Sequence, residues 1–482
     1  MKKIIFSFVI FLLLFCTFCC ARFFKDNNSL KNYSFKEENI IMPSNEALVR
    51  FSNGLKIKTI SNPDYEKTNF AEFDKFIKYL GKTYPLVFKK CEFNLINKYG
   101  IVLKLKGKDS QKLPNLMIGH YDVVGVKNEN NWEYPPFSGY YDKEYVYSRG
   151  TLDDKGSVFA ILEALNDLLK TNFQPESDLY IAFAHTEETG SNEGAPKIVN
   201  YFRENSIKFN TTLDEGGVIS NQDGNFYAFI GTAEKGRLLT KITLYGDPAH
   251  ASLPTQNSAV SKLAKLIQAF SNRTDAIKIS QDAKKYYKST YNSHSLFMRF
   301  LISNMDILRP LFVREMSKKP DDLARISSTY AITILEASNV QNAVSADASM
   351  MIDTRMLPGY TTNDVKKYIN KVVAKTLPNE KVKIEYLSVI EPSVSKNNDN
   401  SEFEKLSRVI RNIYPDIPIS PYLVLGATDA RAYNLISDNT FRFLPCVLTP
   451  EEAGLMHVDN EKLSIKNWGR MITFYKGYIL SK

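Results

Sequence analysis

Two adjacent carboxylates, Glu187 and Glu188, follow an apolar run at residues 179–184. The run predicts a buried strand, so the pair stands where that strand ends. One interpretation is a helix start, because Thr186 followed by acidic residues suits an N-cap and the positive end of a helix dipole. The other interpretation is a chemical site, and the remaining acidic residues and histidines bear on the choice.

The chain has only five histidines, and one of them stands beside an aspartate. His120 and Asp122 lie in the sequence IGHYDVV, and residues two apart in a strand face the same side. A metal-binding imidazole usually has a carboxylate or carbonyl at its other ring nitrogen, which Asp122 could supply. A turn or a surface pair is the alternative for this motif taken alone.

A second acidic pair, Asp153 and Asp154, stands between a glycine turn and a helix predicted to begin at about Gly156. Backbone N–H groups at a helix start favour negative charge, so helix capping is one interpretation of the pair. The wider pattern favours a site, because predicted strand ends and loops carry His120, Asp153, Glu187, Glu188, Asp214 and His457. Histidines and carboxylates of this kind are the ligands of a two-metal hydrolytic centre.

The elements that must position these residues alternate between helices and short apolar strands. Strands are predicted at GIVLKLKG, NLMIGHYD and DLYIAFA, with an amphipathic helix at SVFAILEALNDLLKT. This order predicts an α/β domain with a mostly parallel sheet flanked by helices, whose sites form at the carboxyl ends of the strands. We assign this catalytic domain to residues 41–235 and 391–482.

Between these two parts, residues 236–390 follow a different pattern. Long alternating strands and two amphipathic helices predict a small α+β domain inserted into the larger one. A mainly helical segment at about 275–328, rich in Leu, Phe and Met, interrupts it. That segment has two interpretations, a packing insert or a hydrophobic wall for substrate or partner.

The N-terminus differs in composition from the rest. Residues 1–21 carry two lysines before an apolar stretch, which is typical of an export signal or a membrane anchor. Either interpretation places the body outside the cytoplasm, as a secreted, periplasmic or membrane-anchored protein, with residues 22–40 as a tether. The net charge of +9 over 482 residues, without a long basic block, argues against nucleic acid as a partner.

The ordered motifs resemble a known family. His120-x-Asp122, Arg149-Gly150-x-x-Asp153-x-Lys155-Gly156, Glu187-Glu188, an Asp-Glu-Gly-Gly turn beginning at Asp214 and the late His457 resemble the signature of one metallopeptidase family. It contains aminoacylase, succinyl-diaminopimelate desuccinylase, glutamate carboxypeptidase and carboxypeptidase S. The resemblance extends from about residue 45 to the end of the chain. It is strongest to the carboxypeptidase S branch, which includes secreted N-acyl amino acid hydrolases.

The resemblance implies a role for each residue of the cluster. Two Zn²⁺ ions are implied, and Co²⁺ or Mn²⁺ would also suit these ligands. Asp153 would bridge both metals; His120 and Asp214 would complete one site, and Glu188 and His457 the other. Glu187 would be the general base and Asp122 would orient His120. The family also implies a cis peptide bond after Asp153.

Substrate contacts are implied as well. His250 would bind the oxyanion of the substrate carbonyl, often across a dimer interface, and Asn342 with Arg355 would hold the substrate. Without the resemblance, His250 is a loop histidine and Arg355 a surface charge at a strand end. Residues 426–433 resemble the Gly-rich loop of the family near the bound carboxylate, which makes Gly426, Thr428 and Arg431 further candidates for substrate binding. His185 departs from the family, many of whose members have an aspartate there.

The hypothesis from the sequence is therefore a hydrolase that cleaves the amide of a peptidyl or N-acyl amino acid with a free carboxylate. Either a monomer or a homodimer formed through the inserted domain is consistent with it, as is membrane attachment by the N-terminus. The alternative is a catalytically silent surface binding protein that keeps the fold. A metal-independent serine or cysteine hydrolase lacks its nucleophile motif here.

Overall fold

The computed structural model describes residues 2–29, 35–222, 224–271, 277–395 and 401–482, which form two compact units. The larger unit consists of Leu30–Thr232, Ser395–Tyr422 and Thr428–Lys482. The smaller unit consists of Met1–Ser29, Ala233–Val394 and Leu423–Ala427. The short segment at 423–427 differs from the expected organisation, because it groups with the smaller unit and not with the second part of the catalytic domain.

Parallel strands form the centre of the sheet in the larger unit. Their order is Leu179–Ala184, Asn115–His120, Phe209–Asp214 and Ser437–Arg442. Antiparallel strands extend the sheet on both sides. Gly100–Leu105 and then Glu92–Ile96 lie beyond Leu179–Ala184. Asn225–Glu234 and then Ile219–Gln222 lie beyond Ser437–Arg442, and Val447–Leu448 is the last strand on that side. The predicted α/β class with a largely parallel central sheet is confirmed.

Helices cover both faces of this sheet, which explains why its strands Asn115–His120 and Leu179–Ala184 are buried along their whole length. On one face the helices Lys155–Lys170 and Ile465–Leu480 bury Phe159 and Trp468 beside Phe51, whose ring stacks on Trp468 at 4.6 Å between centroids. On the other face the helix Ala195–Glu204 buries Ile198 and Phe202.

The remaining elements of the larger unit surround this core. Its other α-helices are Asn45–Leu55, Phe70–Thr83, Pro85–Lys90, Ser401–Ile413, Ala430–Tyr433 and Pro450–Ala453. Single 3₁₀ turns are formed at Tyr65–Lys67 and Glu129–Asn131. A small antiparallel sheet joins Lys462–Ser464, Tyr145–Tyr147 and Tyr140–Tyr141.

The smaller unit is built on an antiparallel sheet. Its strand order is Thr329–Glu336, Asp347–Met356, Gly236–Tyr245 and Val382–Ile390. The helices Ala259–Ser271 and Thr362–Thr376 bury alternate strand residues under one face, among them Leu238, Ile242 and Ile352. Short strands at Ala249–His250 and Ala343–Val344 pair with each other, and Ser393–Val394 pairs with the end of Asn225–Glu234.

The segment predicted to be a helical insert contains the helices Gln281–Ser289, Leu296–Ser303, Arg309–Met316 and Pro320–Ile326, with a 3₁₀ turn at Tyr291–Ser293. Residues 275 and 276, at the start of the predicted insert, lie outside the described residues. Phe312, Leu301 and Tyr287 are buried within it, so much of its apolar content serves packing.

The N-terminal helix is longer than expected. It spans Lys2–Asn28, so the tether predicted at 22–40 is wrong for its first residues, and 30–34 lie outside the described part. The helix continues because its second half packs on the insert, where Phe23 contacts Phe300 at 6.0 Å between ring centroids and the Asn304 amide donates to the Cys19 carbonyl at 3.1 Å. By length and composition the helix could cross a membrane.

Candidate active site

The candidate site lies at the carboxyl edge of the parallel strands in the larger unit. His120 is the last residue of its strand and is in register with Ala184, so Glu187 and Glu188 follow at the same edge. Asp214 ends the next strand in the same direction. Because the carboxyl ends of parallel strands meet at one edge, three separate motifs of the sequence converge there.

His120 is held in a fixed orientation by Asp122. The Nδ1 atom of His120 lies 3.1 Å from the Asp122 carbonyl oxygen and 3.3 Å from its Oδ1, which leaves Nε2 to face the site. Asp122 is itself fixed, because its carboxylate accepts hydrogen bonds from the Ser61 hydroxyl at 2.7 Å and from the backbone N–H groups of Glu187 and Glu188 at 3.2 Å. Asp122 therefore positions both the imidazole and the turn carrying the two glutamates.

Asp153 stands at the centre of the cluster. Its Oδ1 is 2.8 Å from His120 Nε2 and its Oδ2 is 2.8 Å from His457 Nε2. The peptide bond between Asp153 and Asp154 is cis, as the family resemblance implied. One carboxylate thus faces both imidazoles, each with a different oxygen.

Two groups of potential metal ligands share Asp153. The first group, defined as His120, Asp153 and Glu215, and the second group, defined as Asp153, Glu188 and His457, each hold their ligand atoms within 4.8 Å of one another. In the first, Glu215 Oε1 is 3.2 Å from His120 Nε2. In the second, Glu188 Oε2 is 3.0 Å from His457 Nε2.

The first group contains Glu215, whereas the sequence prediction names the preceding residue, Asp214, whose role as a ligand stays a prediction. The Asp214 carboxylate accepts hydrogen bonds from the backbone N–H groups of Glu215 at 2.9 Å and Ala430 at 2.8 Å. It supports the start of the helix Ala430–Tyr433, while Glu215 occupies the place beside His120. Adjacent residues at a strand end point in different directions, so the sequence Asp-Glu could not show which side chain faces the site.

Glu187 lies beside the first group without being part of either. Its Oε2 is 3.9 Å from His120 Nε2, and its side chain is largely buried. His185, the departure from the family pattern, is fully buried under Tyr99 and Phe73, and its Nε2 lies 3.1 Å from the Tyr65 hydroxyl. Burial lowers the pKa of His185 to about 4, so it is neutral at physiological pH.

Sequence reasoning gave no role to Asp154, which is also buried at the site. Its Oδ2 accepts a hydrogen bond from the His120 backbone N–H at 3.3 Å. A Cβ at position 119 would lie 2.7 Å from that oxygen, so the close approach requires Gly119. The glycine in IGHYD was the signal for this contact, because an isolated glycine in a strand often marks a close approach.

The crowding of acids and imidazoles shifts their pKa values strongly. Burial raises the pKa of Glu187 and Glu215 well above the usual range, and neighbouring carboxylates raise both further. For His120, burial lowers the pKa, but hydrogen bonds to Asp122, Asp153 and Glu215 outweigh it and the net pKa is well above normal. Hydrogen bonds to Asp153 and then Glu188 raise the pKa of His457 to about 10.

These residues fit divalent cations. Several buried carboxylates around a common point repel one another, and a cation removes that cost more completely than protons do. The donor atoms are imidazole nitrogens and carboxylate oxygens, which suit Zn²⁺ and, among other metals, Co²⁺ and Mn²⁺. Asp153, with one oxygen toward each histidine, suits a bridging position.

Comparison with known proteins identifies the family of this chain. Residues 116–481 match the model of Peptidase family M20/M25/M40. The match covers most of the chain. The protein belongs to peptidase family M20. It is therefore an enzyme of the metallopeptidase type, in a family that depends on metal ions.

Several relatives place the chain within family M20. It is 35% identical over 439 residues to probable carboxypeptidase S-like 2 of Dictyostelium discoideum, covering 89% of this chain and 84% of the relative. It is 29% identical over 430 residues to the N-fatty-acyl-amino acid synthase/hydrolase PM20D1 of Xenopus tropicalis, covering 87% and 83%. The fold is similar to that of the M20 family metallo-carboxypeptidase Sso-CP2 from Sulfolobus solfataricus, with a TM-score of 0.65, 17% identity and coverage of 91% and 99%.

The substrate residues that the M20 resemblance implied divide between the two units. His250, Asn342, Arg355 and Gly426 belong to the smaller unit, and Thr428 and Arg431 to the larger. His250 is exposed and its Nδ1 lies 2.7 Å from the Ser252 hydroxyl, while the Asn342 carbonyl accepts a hydrogen bond from the Ala251 N–H at 2.9 Å. Asn342 directly precedes the strand Ala343–Val344, which pairs with Ala249–His250, so His250 and Asn342 are neighbours.

Arg355 is half-buried at the end of the strand Asp347–Met356. Its Nε donates to Asp353 Oδ1 at 3.0 Å, and Arg237 donates to the other oxygen of the same carboxylate at 2.9 Å. The Asp353 carboxylate therefore orients the guanidinium of Arg355. In the larger unit, the Thr428 hydroxyl accepts a hydrogen bond from the Ala430 N–H at 3.3 Å, beside the contact that Asp214 makes with the same group.

Proposed function

We propose that the protein is a two-metal amide hydrolase that releases an amino acid with a free carboxylate from a peptidyl or N-acyl amino acid. The observation that carries the proposal is the arrangement around Asp153, which is shared by two ligand groups with Glu187 beside one of them. Residues arranged in this way would hold two cations, and Glu187 would stand beside them as the acid–base group.

The metals would be held by the residues of the two groups, with Glu215 in the position for which the sequence predicted Asp214. Bound at these ligands, the two ions would polarise the scissile carbonyl and lower the pKa of a water molecule. Zn²⁺ is the ion we propose, because histidine with carboxylates is its usual ligand set in hydrolases. Asp122 would contribute by holding Nδ1 of His120, so that Nε2 stays free to bind a cation.

Glu187 would transfer the proton. Its carboxylate takes a proton from the attacking water and delivers it to the amide nitrogen as the C–N bond breaks, so the products are a carboxylic acid and an amine. Burial also favours proton binding by this carboxylate, because it raises the pKa of Glu187 above the ordinary glutamate range. A base of this kind contributes about 10²- to 10⁴-fold to the rate.

The substrate class is inferred from the relatives and from the candidate substrate residues. The relatives are a probable carboxypeptidase S-like protein and an N-fatty-acyl-amino acid synthase/hydrolase. Both names describe substrates or products with a free amino acid carboxylate. We propose that Arg355 binds this carboxylate, since guanidinium forms bidentate hydrogen bonds. His250 would bind the oxyanion and Asn342 the substrate, with Gly426, Thr428 and Arg431 close to the carboxylate.

The test is the variant Glu187→Gln in the full chain, with Glu193→Gln as a control on the same segment. Both variants and the parent are incubated with a mixed library of dipeptides and fatty-acyl amino acids, and released products are identified by mass spectrometry. We expect the parent to release amino acids, Glu187→Gln to lose about 10²- to 10⁴-fold in rate while keeping its metals, and Glu193→Gln to match the parent.

Two outcomes would contradict the proposal. A parent protein that binds metal but hydrolyses nothing in the library supports a surface binding protein that keeps the fold. Unchanged hydrolysis by Glu187→Gln shows that another group moves the proton.

We propose in addition that the protein is exported and that the N-terminal helix remains attached as an anchor. The contacts of Phe23 and Cys19 with the insert support retention, because cleavage near residue 21 would remove the helix that covers Phe300 and Asn304. N-terminal sequencing of the protein recovered from membranes tests this, and a mature chain beginning after residue 21 would refute it.

A further inference from the structure

The segment that carries His457 has an unusual backbone. His457 and Asn460 both adopt left-handed conformations, with φ of 65° and 63°. Side chains other than glycine are disfavoured in this region and persist there only when their surroundings hold them. The side chain of His457 is also 53% exposed, so packing alone does not fix it.

A single carboxylate joins this segment to the loop that carries Asp153. Glu461 is fully buried, and its Oε1 accepts the backbone N–H of Leu152 at 2.8 Å. Its Oε2 accepts from Arg149 Nη1 at 2.5 Å, and Arg149 Nη2 in turn donates to the Val458 carbonyl at 3.1 Å. Glu461 and Arg149 therefore link the backbone beside Asp153 to the backbone beside His457.

Regular structure fixes where Glu461 stands. The strand Lys462–Ser464 pairs with Tyr145–Tyr147, and the Ser148 N–H continues this ladder by donating to the Glu461 carbonyl at 3.2 Å. A second contact comes from Trp132, whose Nε1 donates to Asp459 Oδ1 at 3.0 Å. The ladder sets the register, and the side chains then hold the two loops.

From these contacts we infer that Glu461 is a positioning residue for the second metal, which sets the separation of Asp153 and His457. The Glu461 carboxylate contacts neither the Asp153 side chain nor the His457 side chain. It acts through backbone groups on both sides, so its loss lets the loop with His457 relax away from Asp153. The second group then loses more metal affinity than the first, whose other ligands are on or beside strand ends.

The inference rests on the two metals of the proposed function, and its test uses Co²⁺ added to the metal-free full-length protein. Titrations followed by calorimetry and by the visible absorption of bound Co²⁺ give the affinity and number of sites. We expect Glu461→Ala to weaken one of the two sites by about 10- to 100-fold, the range for residues that support metal ligands. Glu461→Gln keeps an acceptor for the Leu152 N–H, so this variant should lose less Co²⁺ affinity than Glu461→Ala.

A matched control is available in another buried glutamate of the same unit. Glu163 forms a bidentate pair with Arg50 at 2.7 Å and accepts from the Tyr84 hydroxyl, and none of these partners belongs to either ligand group. Glu163→Ala should lower the melting temperature as Glu461→Ala does, while both Co²⁺ sites keep their parent affinity. That contrast separates positioning of the metal from general loss of stability.

The possible results of these titrations either support or overturn the positioning role of Glu461. If Glu461→Ala does not fold, Trp132→Phe removes the bond to Asp459 and shrinks the ring that lies 5.3 Å from the Arg149 guanidinium, so it should weaken the same site to a lesser degree. Two sites of parent affinity in Glu461→Ala, or equal weakening in Glu163→Ala, would overturn the inference. A parent protein that binds fewer than two Co²⁺ ions would instead refute the two-metal proposal on which it rests.

Discussion

The two ligand groups share Asp153 but are supported in opposite ways. In the first, His120 ends a central strand, its side chain is 1% exposed and Asp122 holds its second ring nitrogen. In the second, His457 stands in a loop, its side chain is 53% exposed and its backbone is left-handed. The hydrophobic core fixes the first imidazole, whereas contacts between two loops fix the second.

This difference has a consequence for metal binding. A ligand fixed by the core is already in place before the metal binds, so little conformational freedom is lost on binding. A ligand on a loop must be ordered, and that cost reduces the affinity. We therefore expect the metal of the second group to be the weaker-bound one, which a chelator removes first.

The largest effect should follow from removing the residue that both groups share. Asp153→Ala takes one oxygen from each group, so we expect both metals to be lost and hydrolysis to fall to background. Elemental analysis together with the product assay measures this. An Asp153→Ala protein that retains one metal at parent affinity would show that the two groups are independent.

A smaller effect should separate the adjacent residues Glu215 and Asp214. We expect Glu215→Ala to lose the metal of the first group, because its carboxylate lies beside His120. Asp214→Ala should keep both metals and lose about 1–3 kcal/mol of stability, since the Ala430 N–H loses a buried acceptor. Metal content and the unfolding midpoint in urea distinguish them. The reverse result would restore Asp214 as the ligand.

The smallest effect concerns pH and the metal-free protein. Hydrogen bonds to Asp153 and Glu188 raise the pKa of His457 to about 10 in the folded state. A raised pKa contributes stability that is fully present below the ordinary histidine value of about 6.5 and is lost as pH rises toward 10. The melting temperature of the metal-free protein should fall across this range.

The variant His457→Ala should flatten that slope without abolishing it, because His120 also has a raised pKa. Saturating Zn²⁺ should flatten the slope as well, since the metal occupies the nitrogen that would bind the proton. Identical slopes in the parent and His457→Ala would show that His457 does not contact the two carboxylates in solution.

Much of the fold could be predicted because its signals are local. The helix Lys155–Lys170 and the strands Asn115–His120 and Leu179–Ala184 follow from apolar periodicity within single segments. The length of the N-terminal helix could not be predicted, because its second half is stabilised by contacts with Phe300 and Asn304 that are distant in sequence.

For the site, the sequence by itself determined the chemistry of the ligands, since only certain side chains bind these metals, and the order of motifs identified His120, Asp153, Glu188 and His457. Only the tertiary structure brought the Glu215 side chain beside His120 and the Asp214 carboxylate to the Ala430 N–H, because the direction of a side chain at a strand end depends on its neighbours, here the helix Ala430–Tyr433. The structure alone also showed that Glu461 joins the loops of Asp153 and His457, since that contact spans about three hundred residues and depends on the pairing of two short strands.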